Sequence, residues 1–419
     1  MGALLASGNW NNAASCSSRT RNANNSRANV NTNIGSRSHA IRAGSSCRNL
    51  PLGWTARPRL KAGETHDGGA APVSRFSETR RRHFIMRRHG NLWPQIVHED
   101  NIDLAYARAR RGKAALRGVI NFEKNEEANL EKVRRALVNK TFHTAHYTEH
   151  TVFEPKRRTI YALPFSPDRI VQHALMNIIA PIWTALFIQE TYACIEGRGL
   201  HAGSRKCMEY VRGNRYCLQS DISKFYPSVN HEILKEIVRK KIKCKDTLWL
   251  LDDIIDSFPG PTNVPIGNLT SQWLGNLYLN ELDQFVKHSL KIKCYLRYCD
   301  DFLAFDDDKA RLKDWRGALR EFCDVRLALS LSKSEVFPTS HGVDFLGYRH
   351  FPGGYLLLRK RTARRLRKKM DAPDFSRRPL EYRRSFLASV KGWAKHANCR
   401  NFNKATRLDE QFEAVRHLQ

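Results

Sequence analysis

The chain has 419 residues and a formal charge of +30, long enough for a sizeable core in two or three subdomains and basic enough to favour a polyanionic partner, nucleic acid first. Its ten cysteines form no C-x-x-C pair and have no regularly spaced histidines beside them, which argues against a zinc site or a disulfide framework. The longest strongly apolar stretch, Ile178 to Ile188, is interrupted by Pro181 and too short to span a bilayer, and "MGALLAS" carries neither secretory nor myristoylation signal, so a cytoplasmic protein without membrane association is expected.

No acidic residue precedes Glu64, and Gly, Ser, Asn, Arg and Ala dominate that stretch. So little apolar surface does not offset chain entropy, and residues 1–85 are expected to be a disordered leader. Within it, Gly8 to Ser36 reads "GNWNNAASCSSRTRNANNSRANVNTNIGS", dense in asparagine and arginine. From Met86 the texture changes. "NIDLAYARARRGKAALRG" and "NEEANLEKVRRALVNK" have helical spacing, with Leu130, Val133 and Leu137 on one face. In "PFSPDRIVQHALMNIIAPIW", Ser166 reads as an N-cap and Pro167 as the first helical residue, with Ile170, Ala174, Ile178 and Ile182 facing a core.

"YCLQSDI" (216–222) and "CYLRY" (294–298) read as short strands, and "VDFLGYRHFPGGYLLL" (343–358) as a hairpin around Pro352-Gly353-Gly354. Arg359 to Lys369 holds eight basic residues in eleven positions, either a phosphate-binding surface or a solvated basic face. Tyr382, Phe386, Val390 and Trp393 then recur at near-helical spacing, which predicts a helical C-terminal subdomain. Helices, strands and a hairpin mixed without repeats give an α+β architecture.

The chemically loudest segment is "YLRYCDDFLAF", an apolar strand that runs into Asp300 and Asp301 and returns to apolar residues. On its own such a pair is also what an exposed turn carries. Placed in a half-buried hairpin, however, two neighbouring anions call for a cation, and oxygen-only ligands suit Mg²⁺. Asp221, where "YCLQSDI" ends, is the second carboxylate source. Carboxylates from adjacent strands that bridge two metal ions match the needs of nucleotidyl transfer.

"DISKFYPSV", "YCDD" between apolar strands and "FLGY", in this order, resemble the palm of reverse transcriptases, and the resemblance extends over about residues 86 to 419. It implies a right-hand polymerase fold: fingers and the start of the palm in 86–215, palm in 216–350 and a short basic helical thumb in 351–419. Asp221, Asp300 and Asp301 are then the catalytic triad. With Ile222 they hold two Mg²⁺ ions, for which Mn²⁺ can substitute. Tyr226 takes the place of the gate that excludes a ribose hydroxyl. "EPKRRTIYALPFSPDRIVQHAL" resembles the fingers motif, which makes Lys156 and Arg158 contacts to the dNTP triphosphate, with Arg157 the alternative for one of them.

By the same resemblance Arg198 and Arg205 in "EGRGLHAGSRKC" meet template phosphate, Lys333 in "LSLSKSEVF" protonates the leaving pyrophosphate, and "FLGY" grips the primer. The thumb would hold the template–primer duplex through its backbone. No RNase H or zinc-bearing endonuclease segment follows, so nicking and strand removal are expected to come from elsewhere.

"PIGNLTSQWLGNLYLNELD" (265–283) narrows the resemblance. Most reverse transcriptases of group II intron, retron and retroviral type carry a Gln before this Gly and a Ser-Pro four positions on. Ile266-Gly267 and Ser271-Gln272 instead resemble the enzymes of diversity-generating retroelements. An aliphatic side chain in place of an amide removes a polar check on base-pair geometry, so Ile266 and Gly267 are the fidelity candidates. Membership implies copying of a template-repeat RNA into cDNA with errors at adenine, which diversifies a variable repeat in a target gene, with a small basic accessory protein as partner. The leader resembles a translated template repeat, so residues 1–85 read as upstream sequence and Met86 as the start, against a basic RNA-binding tail. The alternatives are a retron or group II intron-type enzyme, or a catalytically inactive polymerase-like RNA-binding protein.

Overall fold

The computed structural model describes residues 88–153 and 157–416. The leader, the start at Met86 and Lys156 lie outside the described residues.

Helices Glu99–Arg110, Arg117–Glu123 and Glu126–Val138 form the first layer, close to a long helix, Ile170–Thr184. Val133 and Leu137 are buried and Leu130 packs at the edge of the same core, as their spacing predicts. Asn101 ties this layer to the long helix, its Nδ2 donating to the carbonyls of Ile96 at 2.8 Å and Ala174 at 3.1 Å. Between these helices in the sequence, an antiparallel hairpin, β1 (Thr148–Val152) and β2 (Arg158–Ala162), forms with little burial.

The long helix departs from its predicted details. A π-helical turn, Phe165–Arg169, precedes it, within which Ser166 has the extended backbone (φ −123°, ψ 138°) that an N-cap before Pro167 requires. Ile170 and Ala174 are buried as expected, together with Val171, Leu175, Ile179 and Trp183, whereas Ile178 and Ile182 are only half-buried. A helix apolar on nearly every side does not select its buried face by isoleucine spacing. Its neighbours, Glu99–Arg110 and Leu269–Gln284, decide it.

The central sheet has the order β4-β5-β3-β6, with β3 (Tyr216–Ile222), β4 (Tyr295–Tyr298), β5 (Asp301–Asp306) and β6 (Leu331–Pro338), all antiparallel. Alternation sorts its side chains onto two cores. Leu218, Ile222, Phe302 and Ala304 join the core built with helices Leu269–Gln284 and Lys309–Leu327. Cys217, Leu296, Leu303 and Phe305 face the other way, with Cys207, Tyr210 and Val211 of helix Leu200–Gly213. Each fully buried Phe or Leu here contributes about 1.5–3 kcal/mol, so the sheet is a rigid platform.

Residues 343–358 form a three-stranded meander rather than one hairpin: β7 (Val343–Phe345), β8 (Tyr348–His350) and β9 (Leu356–Leu358). The second turn is the expected one at Pro352-Gly353-Gly354. The first lies inside "FLGY", where Leu346 (φ 54°) and Gly347 (φ 84°) are both left-handed. Helices Lys360–Met370, Leu380–Lys395, Arg400–Thr406 and Leu408–Arg416 follow, with a core of their own around Phe386, Leu387, Val390 and Leu408. Tyr348 stacks on Trp393 with ring centroids 5.2 Å apart and joins the meander to these helices. Among the described residues no helix is long and apolar enough to cross a membrane.

Gly347 makes this junction possible, because its backbone is left-handed and a Cβ there would overlap the Trp393 ring. Gly347→Ala is expected to destabilise the protein by about 1–3 kcal/mol. Denaturant unfolding checks this, and an unchanged midpoint would contradict the junction.

Candidate active site

Strand register brings the sequence-predicted carboxylates together. Tyr298 closes β4, Cys299 and Asp300 make the turn, and Asp301 opens β5. Asp221 pairs directly with Asp301 on one side and with Lys333 on the other. Directly opposed residues share a face, so two carboxylates and the lysine lie in a row across three strands. The pairing with β6 shifts between Asp221 and Ile222, a bulge at the strand end beside the site. Ile222 itself sends its side chain into the main core, which leaves its backbone as the part available to a ligand.

The electrostatics are those of a crowded anion cluster. Burial pushes the Asp301 carboxyl up to about 7, and Asp300, Asp221 and a hydrogen bond to Asp221 add to the shift, while Arg359 opposes it. Asp221 also accepts a hydrogen bond from Ser332 Oγ at 2.6 Å. Among the described residues, no three His, Cys, Asp or Glu side chains stand in finished metal-ligating geometry. The donor chemistry nonetheless fits a hard divalent cation, since three clustered carboxylates take up a proton where a cation would relieve them.

A buried ion pair beneath the turn holds it. Arg297 and Asp283 have no exposed side-chain surface, and Arg297 Nη2 donates to Asp283 Oδ2 at 2.6 Å. Burial works against the guanidinium's charge, but Asp283 outweighs it and keeps Arg297 above its ordinary range. Tyr295 Oη and Thr191 Oγ1 donate to the same carboxylate at 2.8 and 2.9 Å. Arg297 Nη1 reaches Asn276 Oδ1 at 3.2 Å and the Cys299 carbonyl at 3.0 Å, immediately before Asp300. Sequence reasoning missed these residues, although an arginine inside "YLRY" and an aspartate at the end of the apolar run "NLYLNELD" were signals that it could have used.

Tyr226 lies in a short helix, Phe225–Ser228, after left-handed Lys224 (φ 44°). Its ring is 5.1 Å from that of Phe225, and a Cβ on Gly275 would come within 3.2 Å of it. Burial pushes its phenol well above the ordinary range, and Cys299, Cys194 and Asp300 add to this, so the ring neighbours the carboxylate turn. The Val264 amide donates to the Tyr226 carbonyl at 3.0 Å, which ties Tyr226 to the loop before Ile266.

That loop is docked on the β1–β2 hairpin. The Ile266 carbonyl accepts from the Tyr161 amide at 2.7 Å. Gly267 (φ 132°) lies so close to the Tyr161 carbonyl that any Cβ would overlap it. Ser271 Oγ donates to the Pro265 carbonyl at 2.7 Å, and the Leu269 amide to Gln172 Oε1 at 3.2 Å. The serine of the "IG-x-x-x-SQ" pattern thus closes its own loop.

Of the remaining candidates, Arg157 and Arg158 are exposed at the start of β2, and Lys333 Nζ lies 3.5 Å from Glu335. Arg205 is exposed on helix Leu200–Gly213. Arg198 Nη1 donates to the carbonyls of Ile188 at 2.6 Å and Thr191 at 3.0 Å, contacts that brace the chain next to Asp283.

Residues 153–350 match the family described as Reverse transcriptase (RNA-dependent DNA polymerase). Protein YkfC of Escherichia coli (strain K12) is 27% identical over 281 residues, 54% of this chain and 69% of that protein. Group II intron-encoded protein LtrA of Lactococcus lactis subsp. cremoris is 21% identical over 215 residues, 48% of this chain and 36% of the relative. Nuclear intron maturase 4, mitochondrial, of Arabidopsis thaliana is 20% identical over 179 residues, 40% of this chain and 22% of the relative. This chain therefore spans about two thirds of the first relative and about a third or less of the other two. Residues 153–350 are a reverse transcriptase domain, and the mixed sheet and helices around them take the right-hand polymerase fold.

Arg297→Met leaves Asp283 buried without its counter-charge and is expected to cost about 3–5 kcal/mol. The double variant Arg297→Met, Asp283→Leu should recover part of that loss in denaturant unfolding. Equal stability of the single variant and the wild type would contradict the buried pair.

Proposed function

We propose that this chain, whose residues 153–350 form a reverse transcriptase domain, is an RNA-directed DNA polymerase of the diversity-generating retroelement type. The observation that carries the polymerase chemistry is the convergence of Asp221, Asp300 and Asp301 at one β-turn. The observation that carries the subtype is the Ile266-Gly267 and Ser271-Gln272 form of the loop pinned to β2.

In this proposal Asp221, Asp300, Asp301 and the backbone of Ile222 hold two Mg²⁺ ions, with Mn²⁺ as a substitute. When bound, the ions activate the primer hydroxyl and neutralise charge on the departing phosphate. Lys156 and Arg158, or Arg157, bind the dNTP triphosphate, where fixed cations stabilise developing charge. Tyr226 stands beside the turn and blocks a ribose hydroxyl. Lys333, opposite Asp221, delivers a proton to the leaving pyrophosphate. Ile266 meets the nascent pair without an amide to test it, so mispairs opposite adenine escape rejection.

The proposed palm is 216–350, with fingers before it and the basic helices of 351–419 as thumb, gripping the duplex by its phosphates. Arg205, and less directly Arg198, lie on the proposed template side. The partners are the template-repeat RNA, the primer and cDNA strand, dNTPs and a small basic accessory protein of the same element. The cDNA would diversify a variable repeat in a target gene. A group II intron-type enzyme is the alternative, favoured by the similarity to LtrA.

Sequencing of cDNA made by the full chain on RNA from its own locus separates these possibilities. Substitutions concentrated opposite template adenine are expected, and Ile266→Gln should lower them by about tenfold. Faithful cDNA would favour the intron-type enzyme, and no cDNA beside a working control would favour an RNA-binding protein without catalysis.

A further inference from the structure

Next to the carboxylate turn are two cysteines that the proposed chemistry does not use. The segment 190–194 runs alongside β4: Thr191 bridges to Arg297 in parallel, the Tyr192 amide donates to the Arg297 carbonyl at 3.1 Å, and the Arg297 amide donates to the Glu190 carbonyl at 2.9 Å. This pairing brings the thiols of Cys194 and Cys299 into hydrogen-bonding contact. Both residues have left-handed backbones, φ 57° and 54°, and so lie at bends of the chain. Asn276 holds the two segments in place: its Nδ2 donates to the Ala193 carbonyl at 2.8 Å, while Arg297 Nη1 joins its Oδ1 to the Cys299 carbonyl. Both cysteines are free and keep some exposed surface as residues, unlike Cys207 and Cys217, which are sealed in the core.

We propose that Cys194 and Cys299 form a reversible disulfide, a modification site that disables the polymerase by displacing the turn that carries Asp300. A small disulfide such as oxidised glutathione supplies the oxidising equivalents. One cysteine thiolate attacks it, forms a mixed disulfide and expels one glutathione thiolate. The other cysteine thiolate then attacks the protein sulfur of that mixed disulfide and expels the second glutathione. Two thiols are oxidised, one glutathione disulfide is reduced to two glutathiones, and the two cysteine protons pass to the leaving thiolates.

The bond draws two sulfurs from hydrogen-bonding contact to about 2.05 Å, and Cys299 is adjacent to Asp300 in the chain. A displacement of about 1 Å at a catalytic group is enough to cost about a hundredfold in rate. Cys194, Cys299 and Asp300 all act electrostatically on the Tyr226 phenol, which places the proposed gate in the same neighbourhood. This consequence rests on the polymerase function proposed above, whereas the disulfide itself does not.

The test treats the full chain with oxidised glutathione, blocks remaining thiols, and maps non-reduced peptides by mass spectrometry beside primer extension. The expected result is a peptide linking Cys194 to Cys299, with extension reduced at least tenfold and restored by dithiothreitol. Cys194→Ser should lack the linked peptide and keep its extension rate in the oxidant. Glutathione adducts on other cysteines without a 194–299 link would overturn the site, whether or not the chain polymerises. A quantitative link with undiminished extension would overturn its control of the reaction.

Discussion

The carboxylate turn depends on one buried ion pair. Two charges with no exposed surface carry a desolvation cost of several kcal/mol each, which only near-complete satisfaction offsets. Arg297 and Asp283 achieve it through Tyr295, Thr191, Asn276 and the Cys299 carbonyl, so the pair joins the helix Leu269–Gln284, the segment 190–194 and the end of β4 at one point. An apolar pair of equal volume would serve stability as well. Only a guanidinium, however, has donors enough to hold a carboxylate, an amide and a backbone carbonyl at once, and that last bond sets where the chain turns toward Asp300.

Above this anchor the site is deliberately unrelieved. A protein of formal charge +30 gathers Asp300 in the turn, Asp301 at the start of β5 and Asp221 on the neighbouring strand, and lets Asp301 rise to about 7. The cations near them are kept at the margin: Lys333 lies across from Asp221, and Arg359 lies 3.7 Å from Asp344 at the start of a basic helix. The Arg359 amide also donates to the Gly347 carbonyl at 3.0 Å, so the "FLGY" turn, the basic helices and the electrostatics of the site meet at one residue. The loop at Ile266-Gly267 is held for a different reason, because Gly267 packs so closely on the Tyr161 carbonyl that no side chain fits between them.

Much of this was legible in the sequence. "YCLQSDI" and "CYLRY" are strands within one residue of their expected bounds, because alternation of bulky side chains between Asp-rich turns has few other solutions. The tail's aromatic spacing likewise gave its helix. The carboxylate cluster was readable because adjacent aspartates inside apolar strands have few inexpensive explanations. The Arg297–Asp283 pair was not, since partners fourteen residues apart come together only through the helix-to-strand fold that follows. The turn inside "FLGY" escaped for a similar reason: left-handed Leu346 has no sequence signature, and Trp393, the residue that makes Gly347 necessary, lies far along the chain.

The central claim, that the turn at Asp300 performs magnesium-dependent DNA synthesis on RNA, is met most directly by primer extension on an RNA template with the full chain and its Asp300→Asn variant. Wild-type protein is expected to make cDNA only when the divalent ion is supplied, and the variant, its fold intact, at least about a thousandfold less. Wild-type rates from Asp300→Asn would contradict it.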